Sequence, residues 1–111
     1  MTSLAAKVDA IYLPTDNTVA STASTIGEIL QEAKVPAMGS DAAVIDATLF
    51  TYGVDYHAIG VQAGELAVKI LKGDKPADLP VEKPNTAAVT MNEEMATALG
   101  FDAETIKALE K

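Results

Sequence analysis

Three short stretches of the chain carry polar side chains that can hold a small ligand. They contain Thr15, Asp16 and Asn17, then Ser40 and Asp41, then Asp55 and Tyr56. Hydroxyls and the backbone N–H groups at helix starts bind carboxylates, whereas the carboxylate of Asp41 or Asp55 can bind an ammonium group. The rings of Tyr52 and Tyr56 can flank an apolar or aromatic side chain. Together these groups suit a zwitterionic ligand that resembles an amino acid.

The elements that must position these side chains are short apolar runs and the helices behind them. Predicted strands cover Val8–Leu13, Val35–Gly39, Leu49–Val54 and Thr86–Met91. Apolar runs of this length are typical of strands in a parallel sheet, and helical patterns follow each run. This order predicts an α/β fold with an open parallel sheet flanked by helices, in the three-layer arrangement of flavodoxin or Rossmann domains. Ligands bind outside the carboxyl ends of such strands, so the polar stretches should meet at one edge.

The chain of 111 residues is long enough for one such domain, and we predict a single α/β domain over residues 1–111. Its longest helix should begin after Asp55 and carry an apolar stripe from Ile59 to Leu71. Residues 74–85 contain three prolines and should form an extended connector within the domain. Asp102 should cap a last short helix that ends at Lys111.

Two other interpretations of the polar stretches stay open. Asp16 or Asn17, Asp41 and Asp55 all stand where helix N-caps belong, and a cap stabilises its helix by about 1 kcal/mol without any ligand. The segment Pro14–Thr18 (PTDNT) is similar to the phosphate loop of flavodoxins, so a flavodoxin-like domain that binds a phosphorylated cofactor is the main alternative. Asp16, however, stands where such a loop needs a glycine, and its carboxylate would repel a phosphate.

The composition excludes several functions. Sixteen acidic residues against eight basic ones give a formal charge of −8, and every basic residue is a lysine, so the surface does not suit nucleic acid. Without cysteine and with His57 as its one histidine, the chain lacks thiolate nucleophiles and multi-histidine metal sites. No nucleophile, base and orienting group occur together, so we predict no enzyme, no cofactor and no metal. The sequence has no apolar run that would span a membrane, and it does not begin as a signal peptide does.

Three segments resemble a known protein family. They are Val8–Thr22 (VDAIYLPTDNTVAST), Val35–Asp41 (VPAMGSD) and Tyr52–Pro84, which begins YGVDYHAIG. All three are similar to the closing portion of type I ABC transporter substrate-binding proteins, in the lipoprotein branch associated with uptake of tryptophan, tyrosine and related amino acids. The similarity extends from about Lys7 to Gly100.

The resemblance implies a fold, a site and partners. The fold would be a lobe of the periplasmic-binding-protein type I class, present as a fragment of a two-lobed protein of roughly 300 residues. The three polar stretches match loops that line the cleft of the family, so the seven residues named above would contact an amino acid, with aromatic ones among the candidates. An ABC permease would be the partner of the full-length parent. That parent would lie outside the cytoplasmic membrane, in the periplasm or lipid-anchored at the cell surface.

The long helix after Asp55 packs on the other lobe in the family that the chain resembles. An uncovered stripe of six apolar residues, at about 1 to 2 kcal/mol each, disfavours a monomer. Either the helix folds back onto its own sheet in a compact flavodoxin-like unit, or two chains exchange elements and dimerise. We expect the second outcome, a homodimer formed through the elements that normally contact that lobe. A scaffold fragment that self-associates without binding a ligand is a further alternative.

Overall fold

The computed structural model describes residues 1–85 and 87–108. The strands are β1 (Ile11–Leu13), β2 (Ala37–Gly39), β3 (Phe50–Val54) and β4 (Ala87–Met91). The α-helices are α1 (Thr2–Ala5), α2 (Asn17–Ser21), α3 (Ala23–Ala33), α4 (Tyr56–Leu71), α5 (Glu93–Leu99) and α6 (Ala103–Lys107), with 3-10 helices at Ala42–Ala47 and Pro76–Asp78. Among the described residues, no helix has both the length and the apolar character that a membrane span requires.

The sheet contains four strands in the order β1-β2-β3-β4. β1 and β2 are parallel, with Leu13 opposite Gly39, and β2 and β3 are parallel, with Met38 opposite Phe50. The predicted α/β fold, with its sheet flanked by helices and its first three strands parallel, is confirmed. The carboxyl ends of these three strands therefore lie at one edge.

The fourth strand runs in the other direction. The backbone N–H of Asn92, just after β4, donates to the carbonyl of Leu49, just before β3, at 3.0 Å. Because the end of β4 thus lies beside the beginning of β3, β4 is antiparallel to its neighbour. The expectation of an all-parallel sheet holds only for the first three strands. Thr86, the predicted first residue of this strand, lies outside the described residues.

The core of the sheet lies on one face. Sequential parallel strands with right-handed connections place their connecting helices on the same side, here α3 and the 3-10 helix Ala42–Ala47. Leu30 of α3 and Val44 of the 3-10 helix are fully buried against Ile11 and Leu13. On the opposite face Tyr12 and Tyr52 are 60% and 55% exposed. Helix α3 and the 3-10 helix Ala42–Ala47 thus form a layer on one face of the sheet.

The chain divides into two compact units. The first comprises Met1–Gly53 and the residues from Ala88 onward, and the second is Val54–Ala87. The second unit consists of α4, the 3-10 helix Pro76–Asp78 and an extended stretch. Gln62 of α4 donates to the Glu82 carboxylate at 2.7 Å, and Lys69 lies 3.6 Å from the same carboxylate. These contacts hold the extended stretch against α4.

Capping residues mark the beginning and end of α5 and the beginning of α6. The side chain of Asn92 accepts a hydrogen bond from the N–H of Met95, and Gly100 ends α5 in the left-handed region with φ 78°. Asp102 caps α6 as predicted. The last three residues of the helix predicted to reach Lys111 lie outside the described residues.

Candidate functional site

The first polar stretch follows β1 and starts α2. Asp16 has extended backbone angles, and its Oδ1 atom accepts hydrogen bonds from the N–H groups of Thr18 and Val19 at 2.8 and 3.0 Å. Asp16 is therefore the N-cap of α2, and Asn17 is the first residue of that helix. Both side chains are exposed, so capping leaves them open to solvent.

A hydroxyl pair joins the first stretch to the second. Thr15 Oγ1 and Ser40 Oγ lie 2.9 Å apart, and the N–H of Ser40 donates to the Leu13 carbonyl at 3.1 Å. These bonds bridge the carboxyl ends of β1 and β2. The two neighbouring strands therefore present their polar side chains at the same edge, as the parallel register requires.

Asp41 adds a second carboxylate to this edge. It is only 7% exposed, and its Oδ1 atom accepts a hydrogen bond from the N–H of Ala43 at 2.9 Å, which caps the 3-10 helix Ala42–Ala47. We call Thr15, Asp16, Asn17, Ser40 and Asp41 the polar edge. Four of them, all but Ser40, line one depression of about 40 Å³.

The depression has a definite chemical character. Its two carboxylates, from Asp16 and Asp41, favour a cationic group, and the Thr15 hydroxyl can donate or accept a hydrogen bond. A phosphate dianion would meet two negative charges there, which argues against the flavodoxin-like alternative. At about 40 Å³ the depression is far smaller than the roughly 300–1,000 Å³ of a complete ligand pocket. It can supply one wall of a site.

The third polar stretch belongs to the second unit. Asp55 Oδ1 accepts hydrogen bonds from the N–H groups of His57 and Ala58 at 2.9 and 3.1 Å and so caps α4. Tyr56 is the first residue of α4 and is exposed. The structure thus brings together five of the seven predicted site residues in the first unit and places Asp55 and Tyr56 in the second. The capping interpretation is confirmed for Asp16, Asp41 and Asp55.

One residue next to the polar edge escaped our sequence analysis. Gly53, in β3, is so close to the second stretch that a Cβ atom built on it would lie 2.2 Å from the carbonyl oxygen of Ser40. A glycine inside a strand often marks a close approach of another backbone, and that was the available signal.

A larger depression lies elsewhere in the first unit. It measures about 240 Å³ and is lined by residues of α3, of the 3-10 helix Ala42–Ala47 and of the start of α5. Three carboxylates, from Glu28, Asp46 and Glu94, line it, and Ser24 donates to Asp46 at 3.2 Å. It shares no lining residue with the polar edge. Within residues 1–85 and 87–108, no cluster of histidine, aspartate and glutamate is arranged to hold a metal ion.

Open α/β sheets bind their ligands at the carboxyl ends of the strands, which is where the polar edge lies. The chain belongs to the ABC transporter substrate binding protein family, whose family model matches residues 1–107. It is 34% identical over 100 residues to a tyrosine-binding protein of Clostridioides difficile (strain R20291), a match that covers 89% of this chain.

Solved structures support the same assignment. The chain superposes with a TM-score of 0.75 and 37% identity on a Streptococcus pneumonia ABC domain in complex with L-Trp, over 96% of its length. It superposes with a TM-score of 0.76 and 35% identity on a ligand-free, open substrate binding protein with adhesive properties from Clostridium difficile, over 91% of its length. A conserved domain protein of Vibrio cholerae gives a TM-score of 0.78 at 31% identity.

These matches also fix how much of each relative the chain represents. It spans 29% of the tyrosine-binding protein and 35% and 37% of the clostridial and streptococcal structures. The chain thus corresponds to about a third of the length of the relatives that it matches.

Proposed function

We propose that this chain is part of a substrate-binding protein of an ABC importer and contributes one wall of a site for an amino acid. The observation that carries the proposal is the convergence of Thr15, Asp16, Asn17 and Asp41 on one depression at the carboxyl ends of β1 and β2. Membership of this family supports a ligand-binding role for the polar edge, which helix capping alone does not imply. The relatives named for tyrosine and solved with L-Trp favour an aromatic amino acid.

Each group of the proposed site has a chemical task. The carboxylates of Asp16 and Asp41 attract the ligand ammonium group, and Thr15 and Ser40 offer hydroxyls to its carboxylate. We assign Asp55 and Tyr56 to the same site because they match the third cleft loop of the family, with the Tyr56 ring flanking the ligand side chain. These tasks are recognition and orientation, and none of them makes or breaks a covalent bond.

The family also suggests where the full-length parent works. We propose that the parent closes two lobes around the ligand and that an ABC permease then recognises the closed form. Such a parent would lie outside the cytoplasmic membrane, either in the periplasm or lipid-anchored at the cell surface. Importers of this kind capture the solute before the permease moves it.

Fluorescence titration with amino acids tests the binding proposal directly. The chain contains three tyrosines and no tryptophan, so excitation at wavelengths that tyrosine does not absorb lets the emission of added L-tryptophan report its own binding. We expect L-tryptophan or L-tyrosine to bind weakly to the chain and more tightly to the full-length parent, and D41N to weaken both. Absence of binding by aromatic and aliphatic amino acids to the parent would contradict the proposal.

We also propose that two copies of this chain associate through α4. No residue of this 16-residue helix is buried. One side of it, with Ile59, Ala63 and Leu66, lines a groove closed by the extended stretch at Glu82 and Pro84. The other side carries Val61, Val68 and Leu71, which are 52%, 47% and 86% exposed. A helix with apolar residues on two sides needs a partner on each.

The uncovered side of α4 is complementary to itself. Two α4 helices can pack antiparallel with their Leu66 residues at the same level along the helix axes. Val61 of one copy then faces Leu71 of the other, and Val68 faces Gly64. A Cβ atom built on Gly64 meets nothing within 4 Å, so the valine of the second copy has room there. The same pairing brings Glu65 near Lys69 of the second copy, which adds opposite charges at the rim. Such a two-fold arrangement closes after two copies.

Sedimentation equilibrium of the chain and two matched variants tests this association. Val68 and Leu4 are equally exposed, at 47%, but Leu4 lies in α1 of the first unit and is not part of α4. We expect the wild type and L4E to form dimers and V68E to be monomeric, because a buried unpaired carboxylate opposes the contact. A wild type that stays monomeric at high concentration, or equal effects of L4E and V68E, would overturn the proposal.

A further inference from the structure

We infer that Gly53 is a positioning residue for the proposed ligand site, because it lets β3 approach the loop that carries Ser40 and Asp41. This inference rests on the proposed function. A Cβ atom built on Gly53 would lie 2.2 Å from the Ser40 carbonyl oxygen, 2.8 Å from the carbonyl carbon and 3.3 Å from the Asp41 nitrogen. Any larger residue at position 53 must therefore move this peptide group.

The clash involves main chain, which cannot rotate out of the way. Gly53 is not among the described residues with positive φ, so the position requires space and not a special backbone conformation. Alanine would fit the backbone angles of Gly53 and would change only the distance between β3 and the loop. The consequence of the substitution is thus a displacement of one loop.

The displaced peptide is held firmly on its other side. Ser40 is bonded to Thr15 through its hydroxyl and to Leu13 through its N–H, at 2.9 and 3.1 Å. The next residue, Asp41, caps the 3-10 helix and lines the depression of the polar edge. Movement of the Ser40 carbonyl therefore strains the Thr15 hydroxyl pair and shifts the Asp41 carboxylate. Gly53 has no side chain to contact a ligand and acts through these neighbours.

The chain offers a matched control for this argument. A Cβ atom built on Gly27 would also lie 2.2 Å from a backbone carbonyl oxygen, that of Asp46. Gly27 is in α3 and lines the larger depression, which shares no residue with the polar edge. G53A and G27A thus introduce the same kind of clash, one at the loop that carries Ser40 and Asp41 and one at the opposite end of the 3-10 helix that Asp41 caps.

The experiment measures stability and ligand affinity of both variants together. We expect G53A and G27A to lower the melting temperature to a similar extent. We expect G53A to raise the dissociation constant for L-tryptophan by about tenfold or more, and G27A to leave it within about twofold, because a binding site loses affinity when its supporting shell moves. The dissociation constants of both variants are measured in the presence of trimethylamine N-oxide. This osmolyte favours the folded state, so the affinity of a destabilised variant can still be determined.

Amide NMR spectra keep this inference separate from the proposed function. We expect G53A, but not G27A, to shift the amide resonances of Thr15, Ser40 and Asp41. Equal changes of affinity and of these resonances in the two variants would overturn the role of Gly53. A wild type that binds no L-tryptophan would instead contradict the proposed function, and the three amide shifts would still decide whether Gly53 sets the loop position.

Discussion

Three aspartates of this chain show how one residue type serves a helix and a site together. Asp16, Asp41 and Asp55 each accept hydrogen bonds from the first turn of the following helix. Their positions were predictable because an N-cap must stand directly before a helix, and here each helix follows a strand. Whether a cap also faces a ligand depends on the strand order, which brings Asp16 and Asp41 to one depression.

Substitution of Asp16 separates its two tasks. Asparagine caps a helix as well as aspartate does, so D16N should keep the stability of the chain within a few tenths of a kcal/mol. D16A removes the acceptor and should lower the free energy of unfolding by about 1 kcal/mol. Both variants lose the charge that we assign to the ligand ammonium group, so both should weaken binding of L-tryptophan. Urea unfolding and fluorescence titration give the two readings, and undiminished binding by D16N would remove Asp16 from the site.

The positions of the strands and helices were predictable from the sequence, but the direction of β4 and the residues that cover α4 were not. Apolar runs located β1 to β4, since the pattern of a strand is local. The segment before Asn92 has the same pattern in either direction, so only the path of the chain decides that β4 is antiparallel. The apolar stripe Ile59–Leu71 correctly indicated a helix but not what covers it. Likewise, the close approach of Gly53 to the Ser40 carbonyl becomes visible only in the structure.

The cap of α6 gives a prediction on pH. The Thr105 hydroxyl, at 2.9 Å, and the Glu104 N–H lower the pKa of the Asp102 carboxyl below its ordinary value. A lowered pKa in the folded state means that this contribution to stability is present above about pH 3.9 and is lost as the pH falls through the lowered value. T105V should raise the pKa of Asp102, as an NMR titration would record. An unchanged titration in T105V would show that the hydroxyl is not the main cause.

At the scale of the whole molecule, the chain leaves the first unit after Gly53 and returns to it at Ala88. The first unit contains both described core clusters, around Leu30 and around Leu49. No residue of α4 is buried. The stability of the first unit should therefore depend little on the second.

Removal of the second unit tests this independence. β3 and β4 are antiparallel neighbours, so the end of one and the start of the other lie side by side. Joining Gly53 to Ala88 through an Asn-Gly turn closes an ordinary two-residue hairpin. We expect this shortened chain to unfold in one cooperative transition and to keep the dispersed methyl resonances of Leu30 and Val44. Collapse of that dispersion would mean that residues 54–87 are needed for the first unit to fold.

The antiparallel return of β4 also has an evolutionary consequence. Residues 54–87 connect two adjacent strand ends, so the segment adds no knot and changes no crossover connection. Changes in the length of this segment should therefore leave β3 and β4 paired in the same register, as a hairpin tolerates changes to its loop.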